Sequence, residues 1–274
     1  MDLTGQIVEA GFPVASPVVN DDLALALECA RRAGVIVARG FQLATDTHYK
    51  SAVDPVTEFD RAAEEAVRDL LGTERPHDAI LGEEGGGAGW DAGRVWIVDP
   101  LDGTVNFVHG VPQVAVSVGL WENGQPLVGV VRDAIGGEVF SAVRGEGAFL
   151  DGHPISCSAV DDAVRALVAT GFPYDRRERA AELVEILGRV LAEVQGIRRI
   201  GSSALDLCWV AAGRFDAYWE YRLKPWDTAA GQLIVTEAGG RVTDLEGAPY
   251  LPDAGALLAS NGWLHDRLLS VISR

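Results

Sequence analysis

Cysteine is scarce. Cys29, Cys157 and Cys208 are the three cysteines of the 274 residues, and they form no C-x-x-C pair. That pattern excludes a disulfide scaffold and a zinc ribbon, and it reads as small core fillers in a reducing compartment. His48, His77, His109, His153 and His265 are scattered without an H-x-x-x-H spacing, so a zinc hydrolase is excluded too. No apolar run approaches the length of a membrane span. The start Met1-Asp2-Leu3 has no basic region, and Pro13 and Pro17 interrupt the apolar part of the N-terminus, so no cleaved signal is expected and the chain reads as cytoplasmic. Positive charge is also in short supply. Lys and Arg number 23 against 40 Asp and Glu, a net charge of -17, which argues against long-range attraction to nucleic acid or an anionic membrane. An anionic substrate would therefore need a local cation to receive it. There is no P-loop, no G-x-S-x-G elbow, and Gly145-Glu146-Gly147 lies in a hairpin setting rather than before a helix.

What the chain does have is carboxylates at the ends of apolar runs. The stretch Trp96-Ile97-Val98-Asp99-Pro100-Leu101-Asp102-Gly103-Thr104 begins as a buried strand from Arg94 to Val98. Pro100 is expected to end its ladder, leaving Asp99 and Asp102 at the carboxyl end, where layered α/β proteins bind ligands. Two neighbouring carboxylates repel unless a cation lies between them, and a hard ion such as Mg2+ prefers oxygen ligands. Taken alone, Asp-x-x-Gly equally suits a turn closed by an Asx hydrogen bond. Ala79-Ile80-Leu81 repeats the arrangement, ending in Gly82-Glu83-Glu84 and three glycines; an acidic solvated turn is the alternative there. Asp227, at the start of a helix opened by Lys224-Pro225-Trp226, suits either a cap or a ligand.

The remaining pattern sets the organisation. Residues 1–19 form an irregular extension, and a helix capped by Asn20 or Asp21 runs to about Arg39. Thr57 and Asp60 form a capping box for a second helix, from Glu58 to Leu71, ended by Gly72; Asp54 lies in the loop ahead of it and could turn towards the site. Runs at 114–121, 127–132 and 138–143 make an antiparallel meander. A boundary near Gly152 to Ser158 divides an N-terminal α+β subdomain, 20–155, carrying the acidic motifs, from a C-terminal α/β subdomain, 156–274. In the latter, helices are expected at about 177–194, 203–212, from Lys224 through Glu237, and 264–272, with strands between them.

Gly82-Glu83-Glu84, the stretch W-I-V-D-P-L-D-G-T-V-N-F-V-H from Trp96 to His109, and W-D-T-A-A-G-Q-L-I-V-T-E-A-G-G from Trp226 to Gly240 together resemble the signature segments of the inositol monophosphatase family. The resemblance extends from about residue 21 to the C-terminus. It implies the layered α-β-α-β-α sandwich shared with fructose-1,6-bisphosphatase, and an Mg2+-dependent phosphomonoesterase acting on inositol 1-phosphate or a similar small polyol phosphate. It implies Glu83, Asp99 and the Leu101 carbonyl around a first Mg2+, Asp99, Asp102 and Asp227 around a second, and a third, weaker ion on Glu83. Thr104, polarised by Asp54, would position the attacking water with Glu83. The N–H groups of Gly103 and Thr104 would hold phosphate, and Asp102, Ser203, Glu220 and Asp227 would meet the substrate hydroxyls. Ser203 stands where a small apolar residue is common, which bears on the polyol preferred. A homodimer and inhibition by lithium are further implications. Related activities on histidinol phosphate, fructose 1,6-bisphosphate or nucleotide phosphates, or a partner role in the transcription machinery, are the alternatives.

Overall fold

The computed structural model describes residues 17–43, 47–51 and 54–273, apart from the side chains of 17–20, 51 and 54. Its centre is the strand Arg94–Asp102, in which every residue after Arg94 is buried. With period two, side chains alternate between the faces of a sheet. Trp96 and Val98 face one apolar cluster, with helices Pro17–Gly40 and Glu58–Glu74, while Val95 and Ile97 face another with Trp121 and Ala229. The strand sits in an eight-stranded sheet, parallel to Ala79–Gly82 on one side and antiparallel to Ala115–Glu122 on the other, where the meander begins. Beyond the second face lie helix Ser203–Ala211 and the pair Pro225–Thr228 and Gly231–Glu237. These helices also cover a five-stranded sheet through Ala169, Tyr218, Leu257 and Ala259. The far side of that sheet, with Val168, Trp219 and Leu258, packs on Ala180–Leu191 and His265–Ile272. The order of layers is helices, sheet, helices, sheet, helices, each face burying one stripe of its neighbour. The change of sheet falls between Ile155 and Leu167, yet one apolar cluster takes Val131 and Phe140 from the first sheet together with Tyr218 and Leu257 from the second.

Several elements depart from their expected limits. Pro100 does not end the ladder: the strand runs on to Asp102 through an irregularity against Ala115–Glu122 between Asp99 and Asp102, which accommodates a residue without an N–H donor. Gly72 lies inside the second helix, which ends at Glu74 under an Arg75 N–H bond to Leu71. The helix from Lys224 breaks into two at Ala229 and Ala230. The first helix begins at Pro17, before Asn20 and Asp21, and the next residue, Asp22, is buried with Arg75 and Arg94 on its carboxylate. Among the described residues no helix is long and apolar enough to cross a membrane.

His265 is fully buried, its ring between the Thr243 hydroxyl at 2.9 Å and the Ser260 hydroxyl at 2.8 Å. Burial, aided by the charge of Arg241, pushes its pKa down to about 4. A depressed folded pKa gives stability that is complete above the unfolded value near 6.5 and lost as pH falls towards 4. The loss amounts to at most about 3 kcal/mol. The melting temperature of the wild-type protein minus that of His265→Asn should therefore fall between pH 6.5 and 4; a difference independent of pH would contradict this role.

Candidate active site

The register of two parallel strands brings the first carboxylates together. Gly82 pairs with Val98, and the Glu83 N–H donates to the Val98 carbonyl at 3.3 Å, so the next residues, Glu83 just past its strand and Asp99 within its own, lie side by side. Behind them the buried carboxylate of Glu64 accepts the N–H groups of Glu84 at 2.7 Å and Gly85 at 2.8 Å, and the Arg68 guanidinium at 2.6 Å. The acidic turn is thereby fixed from below rather than left as a solvated loop.

Asp102 ends the same strand. Its Oδ2 accepts the Ser202 hydroxyl at 2.5 Å and the Ala204 N–H at 2.8 Å, both at the start of helix Ser203–Ala211, whose dipole favours a negative charge there. Asp227 comes from the opposite layer: the Trp226 carbonyl accepts from the Ser117 hydroxyl at 3.4 Å, and the Ala229 carbonyl from the Trp121 indole at 3.2 Å. Gly103 has a φ of 91°, and a Cβ there would come within 2.8 Å of the Gln113 carbonyl, so glycine is required where the chain turns into the short helix Thr104–Val108.

Electrostatics show how closely these groups converge. Burial raises Asp99 well above the carboxylate range, and the charges of Glu83, Asp102 and Asp227 push it further. Burial raises Asp227 likewise, with Asp102 and Glu83 adding to it, and raises Asp102 against the pull of Ser202. Burial lifts Glu83 to about 7, although the ammonium of Lys50 opposes the shift. Lys50 Nζ lies 2.9 Å from Glu83 Oε1 and also bonds Glu84; burial works against its charge, but the two glutamates hold its pKa above the ordinary value. This lysine had no motif to mark it. The carboxylates thus draw in a cation, and an all-oxygen donor set of this charge matches a hard divalent ion. Among the described residues, no three His, Cys, Asp or Glu side chains already form a cage as they stand. Asp102 places Oδ2 on Ser202 and the Ala204 N–H, Asp227 places Oδ2 on the Lys224 N–H, and Glu83 places Oε1 on Lys50.

Thr104 has a partner that the sequence did not mark. Its hydroxyl lies 3.2 Å from Asp60 Oδ1 and 3.2 Å from the Leu101 carbonyl. The side chain of Asp54 lies outside the described residues. Asp60 does make the expected capping box, but with its other oxygen: Oδ2 accepts the Thr57 N–H at 2.8 Å and the Thr57 hydroxyl. One carboxylate caps a helix and holds Thr104. Burial raises its pKa, against the Thr57 hydrogen bonds. Further along, Glu220 Oε2 accepts the Tyr218 hydroxyl at 2.6 Å and the Ser203 hydroxyl at 3.4 Å. Asn106 ties the loops together by donating to the carbonyls of Gln113 at 2.8 Å and Ile200 at 3.0 Å.

The sequence profile of the inositol monophosphatase family matches residues 19–274. The chain belongs to that family. It is 41% identical over 263 residues to Nus factor SuhB of Pseudomonas aeruginosa, covering 93% of this chain and 96% of that one. The crystal structure of extragenic suppressor protein suhB from Bartonella henselae superposes with a TM-score of 0.88 at 38% identity, over 94% of this chain and 99% of that one. Inositol monophosphatase from Anabaena gives a TM-score of 0.82 at 37% identity, over 93% and 96%. The inositol monophosphatase fold expected from the signature segments is therefore the fold observed.

Proposed function

We propose that this protein is an Mg2+-dependent phosphomonoesterase of small polyol phosphates, with inositol 1-phosphate as the first candidate. The observation that supports it most is the convergence of buried Asp99 and Asp102 with half-buried Glu83 and Asp227, all four raised by burial and Asp99 and Asp227 further by acidic neighbours, beside a threonine whose hydroxyl is held on Asp60. Glu83, Asp99 and the Leu101 carbonyl would hold one Mg2+, Asp99, Asp102 and Asp227 a second, and Glu83 with waters a weaker third. Such ions acidify a bound water and neutralise phosphoryl oxygens. The Thr104 hydroxyl, oriented by Asp60, and Glu83 would then position the attacking water. The backbone N–H groups of Gly103 and Thr104 would hold the phosphate, while Asp102, Ser203, Glu220 and Asp227 would face the substrate hydroxyls. No covalent phosphoenzyme is needed, because positioning and charge stabilisation carry the step.

A panel of inositol 1-phosphate, histidinol phosphate, fructose 1,6-bisphosphate and nucleotide phosphates, each assayed for phosphate release with and without Mg2+, tests the proposal. Fastest turnover is expected on inositol 1-phosphate; a tenfold preference for histidinol phosphate would overturn that substrate. A cytoplasmic homodimer sensitive to lithium completes the reading.

Several relatives are named Nus factor SuhB, which favours a second reading, a partner role in the transcription machinery, and pulls against small molecules as the only partners and against the exclusion of nucleic-acid assemblies. The two readings separate on Asp99→Asn, which should remove hydrolysis and leave binding to a transcription complex intact.

A further inference from the structure

Glu220 leaves the strand Ala217–Tyr221 half-buried, and its two oxygens have different surroundings. Oε2 takes the fully buried Tyr218 hydroxyl at 2.6 Å and the Ser203 hydroxyl at 3.4 Å. Among the described residues no hydrogen bond reaches Oε1, and it is not one of the buried unpartnered atoms, so solvent touches it. Behind the carboxylate, buried Gly171 follows the neighbouring strand Leu167–Thr170, and a Cβ there would lie 1.7 Å from Glu220 Oε2. The carboxylate therefore rests in a slot that only glycine leaves open, and Tyr218 pins the inner oxygen.

We infer that Tyr218 and Gly171 are positioning residues for substrate selectivity: they fix the Glu220 carboxylate so that Oε1 alone is presented to a hydroxyl of the polyol. The inference rests on the phosphatase reading above and deepens it. A polyol phosphate has a hydroxyl to offer Glu220, whereas phenyl phosphate has only the phosphoryl group, which is handled by the Asp99 end of the site. Loss of the Tyr218 hydroxyl lets the carboxylate rotate in its slot. The cost then falls on binding of the polyol, as for any site whose polar group is mispositioned.

The experiment compares kcat and KM for inositol 1-phosphate and phenyl phosphate in wild-type protein, Tyr218→Phe, Gly171→Ala, Glu220→Ala and the double variant Tyr218→Phe/Glu220→Ala. In Tyr218→Phe, KM for inositol 1-phosphate should rise roughly tenfold, the worth of one hydrogen bond, with kcat little changed. The ratio of kcat/KM between the two substrates should fall by the same factor. Adding Tyr218→Phe to Glu220→Ala should produce no further fall, since the tyrosine acts only through the carboxylate. Gly171→Ala should lower the same ratio; if it does not fold, the tyrosine cycle decides alone. An unchanged ratio in Tyr218→Phe, or losses that simply add in the double variant, would overturn the inference. Failure of wild-type protein to hydrolyse either substrate would instead overturn the phosphatase reading.

Discussion

Asp99→Asn should lower turnover about a thousandfold, since it withdraws a charge shared by both expected ions and with it several kcal/mol of transition-state stabilisation. The same change should make the metal-free protein more stable. In that state the pKa values of Asp99, Asp102, Asp227 and Glu83 are all raised, each by burial first, and those of Asp99 and Asp227 also by others of the four. A raised folded value means that ionising the group costs stability as pH climbs through the range above the ordinary carboxylate value. Asn has no charge to bury among acidic neighbours, so the melting temperature of the metal-free variant at pH 7 should rise by a few degrees, as about 1 kcal/mol gives in a chain of this size. Below pH 5 the gain should vanish. Wild-type protein should recover more stability from Mg2+ than the variant does, because ligand binding adds stability in proportion to affinity. A variant that loses activity but is destabilised without metal would show that Asp99 is held by contacts other than its acidic neighbours.

Asp60→Asn should reduce kcat by about a hundredfold, within the range for loss of a group that handles a proton or orients a hydroxyl, while Asp54→Asn should stay within a few-fold of wild type. The amide keeps an oxygen for the cap at Thr57, so the melting temperature of Asp60→Asn should change little. What is lost is the charge facing the Thr104 hydroxyl at 3.2 Å. Equal losses in the two variants, or a larger loss in Asp54→Asn, would return the role to Asp54, at the start of the strand Asp54–Thr57.

The contrast between these two aspartates shows what a sequence reveals and what it hides. Asp99 and Asp102 were legible because their strand, the irregularity and the turn are contiguous, so one stretch of chain carries the whole geometry. The pairing of Glu83 with Asp99 follows from the register of Gly82 on Val98 in two parallel strands, which needed the structure. Asp60 was hidden because capping explained it fully: nothing in V-T-E-F-D says that a cap residue has a second oxygen to spare. Lys50 was hidden because a lone lysine in a polar segment has no period or partner in sequence, and its ion pair with Glu83 spans 33 positions. Glu64 was hidden inside a helix, where a glutamate is ordinary until its burial is seen. Pro100 misled because its missing donor usually stops a ladder, and here an irregularity absorbs it.

All of these assignments depend on acidic side chains from two strand ends and a helix start enclosing divalent ions. Crystals soaked in Mn2+ and measured at its anomalous edge test this most directly. The account predicts strong peaks bounded by Glu83, Asp99, Asp102 and Asp227, with Lys50 displaced from Glu83. Mn2+ bound only elsewhere on the surface, with Lys50 still paired to Glu83, would contradict it.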